Sequence, residues 1–395
     1  MAVLFYILLL GSMMGILSTY LFYPLIIHYL AARRPRFSSP LVEQATEHLP
    51  TVTVLFAAYN EEAVLREKLE SVLQSDYPAE KLNVWVGSDC STDDTNAILS
   101  SFGLGPDSRV RYEVMKERTG KAGILNALAP RCEGELILLT DANVLFTPDT
   151  VKRLVQSLTF SEATACGGRM IYKPRREAGI SQQERDYLDW ENKIKLAESR
   201  LWGKVMGLEG GCYLIRKEHF PVLPRLFFME DFYVTMKLLE QRKRVILAPD
   251  ALAQEEVSVS AGEEYRRKVR ISIGNWQNLG RFAPVLWNHF LPVGLSFLLH
   301  KILRWSSPFL LIICAVSLLA LSFQHLACAI ILGAGLILCG WGMIRVVFSP
   351  RRLQAWEAYL GHFMYMNLAL LEGFYKYLKG VKSNVWQPTA RKQKD

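Results

Sequence analysis

The chain has 395 residues, of which 50% are hydrophobic and 21% are charged, so it is too apolar for a disordered protein and too long for one ordinary domain. Its net charge of +8 is concentrated after residue 283, where 11 Lys and Arg residues face 3 Asp and Glu residues. Because these cations flank apolar runs while the central segment is nearly neutral, the composition favours a membrane surface and argues against nucleic acid as a partner.

The first 30 residues form an apolar run without Lys, Arg, Asp or Glu. About 20 such residues suffice to cross a hydrocarbon core of about 30 Å. The cations Arg33, Arg34 and Arg36 follow the run, whereas a cleaved signal peptide, which is the alternative, carries its cations in front. We therefore predict an N-terminal transmembrane helix over 1–30, with residue 33 onward in the cytoplasm.

The segment 49–283 reads as alternating strands and helices. Apolar runs rich in β-branched or aromatic residues predict strands at 51–58, 82–88, 110–115, 135–140 and 244–248. Helix-length stretches separate these runs, so we predict an α/β domain with a mostly parallel sheet. Ligands of such sheets bind beyond the carboxyl ends of the strands, which directs attention to the polar residues there.

Polar clusters follow the first two predicted strands. Residues 59–62 (YNEE) open a helix expected to run to about Gln74, and its first amide groups favour an anion or a polar ring edge. The alternative is that Asn60 only caps this helix. Residues 88–94 offer small hydroxyls and carboxylates, which suit a ribose or base pocket or a helix cap. We assign Asp89 to ligand binding and residues 92–94 to capping a helix that begins near Thr92.

Two acidic clusters come later in the segment. Asp141 and Asn143 follow the apolar strand ELILL and present oxygens from the same side, as a divalent cation shared with a diphosphate needs. Glu230 and Asp231 are adjacent acids after the apolar residues 227–229, a setting that raises one pKa toward that of a general base. The alternative for this second pair is an acidic first turn that complements a helix dipole.

A basic, glycine-containing segment, RTGKAG at 118–123, is expected to form a loop before a helix. The chain has no Walker loop and no G-x-G-x-x-G after its first strand, which argues against an ATPase or a dehydrogenase. Lys121 can still neutralise a diphosphate, and the alternative is a solvated loop.

The C-terminal third is predicted to be membrane-associated. Residues 284–305 mix apolar, His and cationic residues, as an interfacial helix does. The run between Arg304 and Arg345 contains no formal charge and is interrupted at Gln324-His325, which predicts a two-helix transmembrane hairpin over 306–348. A further transmembrane or in-plane helix over 353–376 and a basic tail over 377–395 follow, and the number of spans stays open.

The order of the motifs resembles that of family 2 glycosyltransferases with a GT-A fold. More narrowly, the chain resembles the membrane-integrated bacterial members related to cellulose, hyaluronan and poly-N-acetylglucosamine synthases. The motifs are AAYNEE at 57–62, SDCSTDDT at 88–95, RTGKAGILN at 118–126, TDAN at 140–143, EGGCYLIRK at 209–217, MEDF at 229–232 and RRKVR at 266–270.

The resemblance implies a role for each matching residue. It implies uridine binding by Tyr59, Glu61 and Asp89, and phosphate binding by Lys121. It implies Mg²⁺ or Mn²⁺ as cofactor, held by Asp141 and Asn143. It implies that Asp231, with Glu230 beside it, is the general base, that Gly210 and Gly211 let the acceptor approach, and that Arg267 and Arg270 lie near the leaving diphosphate.

Two departures from the family pattern affect the expected activity. Asn143 replaces the second Asp of D-x-D, which weakens metal binding, and RKVRI at 267–271 replaces Q-x-x-R-W, which argues against repeated polymerisation. We therefore expect an inverting transfer from a nucleotide sugar, UDP-linked, to a polysaccharide or lipid-linked acceptor at the membrane, in exopolysaccharide or glycan biosynthesis. A homo-oligomer or a separate export partner is compatible with this.

Two other functions are alternatives to sugar transfer. One is a non-catalytic membrane scaffold or sensor that binds nucleotide sugar, which the weakened D-x-N motif favours. The other is a transporter, which is disfavoured because about 250 residues are soluble in character and the two best spans contain no charged residue.

Overall fold

The computed structural model describes residues 1–34, 49–103, 108–172, 180–255, 261–348 and 354–384. The chain forms two compact units. The helical unit comprises Met1–Leu30, Arg175–Tyr187 and Ser258–Gly380, and the sheet unit comprises Ala31–Pro174, Leu188–Val257 and Val381–Asp395. Arg36 and the part of the predicted basic tail from residue 385 onward lie outside the described residues.

Within the described residues the sheet unit contains one sheet of eight strands. They are β1 Val52–Ala58, β2 Leu82–Ser88, β3 Val110–Val114, β4 Leu136–Thr140, β5 Leu145–Phe146, β6 Ala165–Tyr172, β7 Cys212–Arg216 and β8 Val245–Glu255. Their order across the sheet is β3-β2-β1-β4-β7-β6-β8-β5. The pairs β1–β2, β1–β4, β2–β3 and β6–β8 are parallel, and β4–β7, β6–β7 and β5–β8 are antiparallel. The prediction of an α/β fold with a mostly parallel sheet is confirmed.

The central strands form where apolar runs can be covered on both faces. Every residue of β1 and of β4 is buried, as is typical of parallel strands between helical layers. The helices of this unit are α3 Glu62–Leu73, α4 Thr95–Gly103, α5 Gly120–Leu128, α6 Thr150–Phe160, most of α7 Ile180–Trp202, and α8 Glu230–Glu240. In α6 the buried residues Val151, Leu154, Val155 and Leu158 recur at helical spacing, which is the pattern of a helix packed by one face.

Three strands, β5, β6 and β7, are absent from the sequence prediction. β5 has two residues, β6 contains Gly167 and Gly168, and β7 directly follows Gly210 and Gly211. Glycine is depleted in strands, so a search for continuous apolar, β-branched runs passes over these segments. β7 nevertheless pairs with β4, and its residue Cys212 lies opposite Thr140. This pairing places the glycine pair beside the start of the TDAN motif.

The helical unit begins with a long apolar helix. α1 Ala2–Leu17, a π-helical turn at Ser18–Phe22 and α2 Tyr23–Ala32 follow one another. Together they give a helix over Ala2–Ala32 that is long and apolar enough to cross a membrane.

The remaining helices of this unit are α9 Ala261–Phe282, α10 Val285–Asn288, α11 Leu303–Trp305, α12 Ser307–Ser322, α13 Leu326–Phe348 and α14 Ala355–Leu378, with π-helical turns at Phe290–Gly294 and Phe297–Ile302. Among the described residues, Leu326–Arg345 is the second candidate span, and Phe290–Trp305 with Ser307–Ser322 is a helix pair bent by 65°. α12 alone is about 24 Å long, shorter than a hydrocarbon core of about 30 Å. The turn between α12 and α13 falls at Gln324-His325, as expected.

The segment predicted as one interfacial helix, 284–305, is interrupted. Leu291 has the extended backbone angles φ −109° and ψ 130°. It precedes Pro292, whose ring excludes the helical conformation from the residue before it. α9, which lies inside the predicted 49–283 segment, belongs to the helical unit.

Candidate active site

The loops after β1 and β2 lie side by side because these strands are parallel and in register, with Ala58 opposite Ser88. Asn60 joins the two loops. Its side-chain oxygen accepts a hydrogen bond from the Thr92 amide at 2.8 Å, and its side-chain nitrogen donates to Thr92 Oγ1 at 3.2 Å. The residue preceding α3 is Glu61, a buried residue whose amide donates to Thr95 Oγ1 at 2.8 Å. Asn60 therefore connects loops and does not cap α3.

Asp93 supports the starts of two helices. Its carboxylate accepts hydrogen bonds from the amides of Glu62 at 3.1 Å and Thr95 at 3.1 Å, the first residues of α3 and α4. Glu62 returns the contact by accepting from the Asp94 amide at 3.0 Å. The capping prediction for 92–94 is confirmed at Asp93, although α4 begins at Thr95 and not near Thr92.

Asp89 is fully buried and holds the segment before α5. It accepts hydrogen bonds from the Thr119 amide at 2.7 Å, the Gly120 amide at 3.2 Å and Arg118 Nε at 3.1 Å. The Arg118 guanidinium in turn lies 3.2 Å from the centre of the Tyr59 ring. The structure thus brings Tyr59 and Asp89 together around Arg118, and protein donors already contact both Asp89 oxygens.

Lys121 lies in the first turn of α5 and not in a loop before it, because the helix starts at Gly120. Its Nζ contacts Asp141 Oδ1 at 2.6 Å and Glu230 Oε1 at 2.7 Å. Burial lowers the pKa of Lys121, but the two carboxylates outweigh burial and raise this pKa well above its ordinary value. One ammonium group therefore joins the TDAN motif to the acidic pair at the start of α8.

Asp231 is the acid whose protonation is most affected by its surroundings. Burial and the neighbouring Glu230 raise the pKa of Asp231 to about 7, although Lys121 acts in the opposite direction. Asp231 Oδ2 accepts a hydrogen bond from the Gly210 amide at 2.8 Å. A Cβ atom at residue 210 would lie 3.0 Å from the same oxygen. Glycine at 210 is thus favoured by the close approach of Asp231, because a Cβ would displace this carboxylate by a few tenths of an ångström.

Lys195 and Glu209 are site neighbours that the sequence analysis did not single out. Lys195 on α7 forms a very short ion pair with Glu209 and lies 3.8 Å from Glu191. Burial lowers the pKa of Lys195, but Glu209 and Glu191 raise it to about 12. The negative charge of Glu209 also raises the pKa of Asp231. The spacing of Glu191 and Lys195, four residues apart on one helix, is the sequence signal for this pair.

Lys68 is a second site residue that the sequence prediction does not include. It is fully buried on α3, where its Nζ donates to Thr140 Oγ1 at 2.9 Å and to the Val144 carbonyl at 2.6 Å and lies 3.7 Å from the Phe146 ring centre. Thr140 Oγ1 donates to the Gly211 carbonyl at 2.7 Å. Burial lowers the pKa of Lys68 to about 7. Lys68 thereby stabilises the TDAN loop, because it donates to Thr140 at the start of the motif and to Val144 directly after it.

The predicted metal ligands offer oxygen atoms, the ligand type that Mg²⁺ and Mn²⁺ take. Asn143 Nδ2 donates to Glu255 Oε1 at 3.0 Å, which fixes the orientation of its amide group. The Asp141 side chain is 41% exposed, and Lys121 already places a positive charge against it. Among the described residues no group of three His, Cys, Asp or Glu side chains could hold a metal. Asp141 and Asn143 carry the oxygen type that a hard cation takes, and their assignment as metal ligands stays a prediction.

Asn384 is a further neighbour, from the end of the described C-terminal segment. Its Nδ2 donates to the Phe227 carbonyl at 3.4 Å, and its Oδ1 lies 3.0 Å from the position that a Cβ of residue 120 would take. Gly120 itself has φ +73°, a conformation that favours glycine. Residue 384 therefore lies at the start of α5, one residue from Lys121.

The two predicted arginines lie on α9 in the helical unit. Arg267 Nη1 is 3.9 Å from Glu264 Oε2, three residues earlier on the helix. Arg270 is exposed. Their assignment to the leaving diphosphate stays a prediction.

Comparison with known proteins identifies the sheet unit. The family described as Glycosyl transferase family 2 matches residues 53–223. An N-acetylglucosaminyltransferase of Rhizobium leguminosarum bv. viciae is 26% identical over 269 residues, which cover 65% of this chain and 63% of the relative. A beta-monoglucosyldiacylglycerol synthase of Nostoc sp. is 34% identical over 108 residues, which cover 27% of this chain and 23% of that protein. The chain thus spans less than two thirds of the length of these relatives.

A solved structure supports the fold over nearly the whole chain. The mannosyltransferase PcManGT from Pyrobaculum calidifontis, in complex with GDP-Man and Mn²⁺, superposes with a TM-score of 0.69 at 23% sequence identity, covering 94% of this chain and 99% of that one. The family match shows a glycosyltransferase family 2 domain over residues 53–223, and the structural similarity, together with the sheet order, shows that this domain has a GT-A fold.

Proposed function

We propose that the chain is an inverting glycosyltransferase that moves a sugar from a nucleotide sugar, UDP-linked, to a polysaccharide or lipid-linked acceptor at a membrane. The observation that carries the proposal is the contact of Lys121 with Asp141 and Glu230 next to Asp231, whose pKa burial and Glu230 raise to about 7. A general base works best when its pKa lies near the working pH, and phosphates need a cation nearby. The cluster combines the two requirements.

In this mechanism Asp231 takes the proton of the acceptor hydroxyl. The acceptor oxygen forms a bond to the anomeric carbon from the side opposite the leaving group, and the bond from that carbon to the diphosphate breaks. The nucleoside diphosphate leaves with the bonding electron pair, so the configuration at the anomeric carbon inverts. The Gly210 amide holds Asp231 in place through its hydrogen bond.

The donor is held by the edge formed by β1, β2 and α5. Tyr59, Glu61 and Asp89 bind the nucleoside side, with Arg118 between Tyr59 and Asp89. Lys121 contacts the diphosphate, toward which the positive end of the α5 dipole is also directed. Gly210 and Gly211 leave room for the acceptor, and the assignment of Arg267 and Arg270, which lie on α9 of the helical unit, to the leaving group stays a prediction from the resemblance.

Asp141 and Asn143 hold a divalent cation in this proposal. When bound, the ion supplies positive charge that stabilises the leaving diphosphate. A single carboxylate and an amide give weaker binding than two carboxylates, so we expect a metal requirement at higher concentrations than for a D-x-D enzyme.

The membrane context follows from the apolar helices. Ala2–Ala32 and Leu326–Arg345 are both suited to cross a bilayer, and Arg33 and Arg34 follow the first of them. Since cations mark the cytoplasmic side, we propose an integral membrane protein whose sheet unit is cytoplasmic, in the inner membrane if the source is a bacterium. The acceptor is then a glycan or lipid at that surface.

The test uses the full chain in membranes, supplied with Mn²⁺, candidate acceptors and UDP- or GDP-linked sugars. Nucleoside diphosphate release is measured first and product size second. A donor carrying N-acetylglucosamine comes first because several relatives are named N-acetylglucosaminyltransferase. Wild-type protein that binds the nucleotide sugar without releasing the diphosphate contradicts transfer and supports the scaffold alternative.

The variant Asp231→Asn tests the base. It should fold normally and turn over about 10² to 10⁴ times more slowly, because general-base catalysis contributes about this factor. Asp76→Asn is the matched control, since Asp76 is exposed and pairs with Lys152 at 2.8 Å. Full turnover by Asp231→Asn contradicts the assignment of the base.

A further inference from the structure

One buried hydroxyl beneath the proposed active site lacks a partner. Tyr213 on β7 is 1% exposed, and its hydroxyl oxygen makes no hydrogen bond within the described part of the chain. Buried polar groups in native proteins are almost always hydrogen-bonded, and an exception requires an explanation such as a catalytic role. A phenylalanine at this position would preserve the packing without leaving a polar atom unpaired.

The position of Tyr213 places this hydroxyl under the acidic cluster. Tyr213 lies opposite Leu139 in the β4–β7 pairing, while its neighbour Cys212 lies opposite Thr140. Burial raises the pKa of the Tyr213 hydroxyl well above its ordinary value, and Glu230, Lys121, Asp231 and Asp141 also act on it electrostatically. The unpaired hydroxyl therefore lies within electrostatic range of the groups that the proposed mechanism uses.

Glu230 is the member of this cluster that depends most on Lys121. Its Oε1 contacts Lys121 Nζ at 2.7 Å, and its side chain is 15% exposed. A diphosphate brings negative charge that competes for the same ammonium group. Once Lys121 turns toward the diphosphate, Glu230 needs another donor, because an ionised carboxylate of low exposure is costly without one.

We propose that Tyr213 is a positioning residue whose hydroxyl donates a hydrogen bond to Glu230 when the donor diphosphate draws Lys121 away. The inference rests on the proposed function, since it requires a diphosphate at Lys121. In the donor-free protein Lys121 contacts Glu230, and the Tyr213 hydroxyl makes no hydrogen bond within the described part of the chain. In the donor complex the hydroxyl donates a hydrogen bond to the Glu230 carboxylate beside Asp231.

Tyr213→Phe tests this inference, with Tyr77→Phe as the matched control. Tyr77 is also buried in the sheet unit, but its hydroxyl donates to the Pro50 carbonyl at 2.5 Å. Tyr77→Phe should lower the melting temperature and leave kcat unchanged. Tyr213→Phe should leave the melting temperature of the donor-free protein unchanged or raise it, and lower kcat about ten- to hundredfold, as expected for one hydrogen bond to a charged group.

The pH dependence separates this role from a purely structural one. Loss of the hydrogen bond leaves the negative charge of Glu230 less compensated beside Asp231, whose pKa that charge raises, so the acid limb of kcat should move to higher pH in Tyr213→Phe. The acid limb of kcat/KM reports the free enzyme, in which the hydroxyl is unpaired, and should not move.

The outcomes distinguish the two proposals. Tyr213→Phe with wild-type kcat, or with a lowered melting temperature and an unmoved kcat limb, overturns this inference while leaving the glycosyltransferase proposal intact. Wild-type protein that neither transfers sugar nor gains thermal stability from nucleoside diphosphate with Mn²⁺ overturns both.

Discussion

Replacing Lys68 by methionine should separate stability from activity. Methionine keeps an unbranched side chain of similar length on α3 but removes the amine that donates to Thr140 Oγ1 and the Val144 carbonyl. Burial lowers the pKa of Lys68 from 10.5 to about 7, so folding at pH 8 removes a proton from this amine. At about 1.4 kcal/mol per pH unit, that costs about 3 kcal/mol at pH 8.

Methionine avoids this cost but loses two hydrogen bonds of about 1 kcal/mol each. Lys68→Met should therefore be about 1 kcal/mol more stable than wild type at pH 8. Because the pKa is depressed in the folded state, the wild-type protein gains stability as pH rises from 7 toward 10.5. At pH 10 the cost of deprotonation is about 1 kcal/mol, so the order of stability should reverse.

The assay is a series of denaturation midpoints between pH 7 and pH 10, paired with kcat at pH 8. Lys152→Met is the control, since Lys152 is an exposed lysine of the same unit, and its effect should not vary with pH. We expect kcat of Lys68→Met to fall about 10- to 100-fold, as is typical when a group that orients an active-site ligand is lost. A stability difference that is constant from pH 7 to pH 10, or an unchanged kcat, refutes this reasoning.

The remaining predictions concern Asp231 and the glycine that contacts it. The acid limb of kcat/KM should lie near pH 7, because the pKa of Asp231 is raised to about 7. As pH falls below this value, Asp231 takes up a proton and the rate is lost. An acid limb below pH 5 contradicts this prediction. Gly210→Ala should lower kcat about tenfold, since its Cβ would lie 3.0 Å from Asp231 Oδ2 and a displaced base loses alignment. Gly262→Ala is the control and should leave kcat unchanged, because a Cβ at residue 262 meets nothing within 4 Å. Equal rates for the two variants would argue against Asp231 as the general base.

The fold could be predicted wherever local sequence and burial agree. β1 and β4 are continuous apolar runs buried along their whole length, so composition alone locates them. β7 has the same length as β4 and its first four residues are buried, but it follows two glycines, and its antiparallel pairing with β4 joins residues 72 to 80 positions apart. Long-range pairing of this kind leaves no periodic signal in the strand itself.

The site residues also divide into those that the sequence makes conspicuous and those that it does not. Asp141, Glu230 and Asp231 stand out in the sequence because acids at strand ends or helix starts are conspicuous. Lys68 does not, although it falls on the apolar stripe of α3 together with Leu65, Leu69 and Val72. A lysine at a position where helical spacing demands an apolar residue is a readable signal of a buried amine, and a search for charged residues within apolar stripes finds it.

The charge balance of the cluster explains why one ammonium group can serve two purposes. Two ammonium groups, Lys121 and Lys195, contact four carboxylates, which are Asp141, Glu230, Glu191 and Glu209. Asp231 adds a fifth acid, and its pKa near 7 is the consequence of this surplus together with burial. The proposed function therefore requires the donor to bind together with added positive charge, because a diphosphate that entered such a site alone would be repelled. In that proposal, positive charge at Asp141 loosens one of the two contacts of Lys121, and the diphosphate competes with Glu230 for the other.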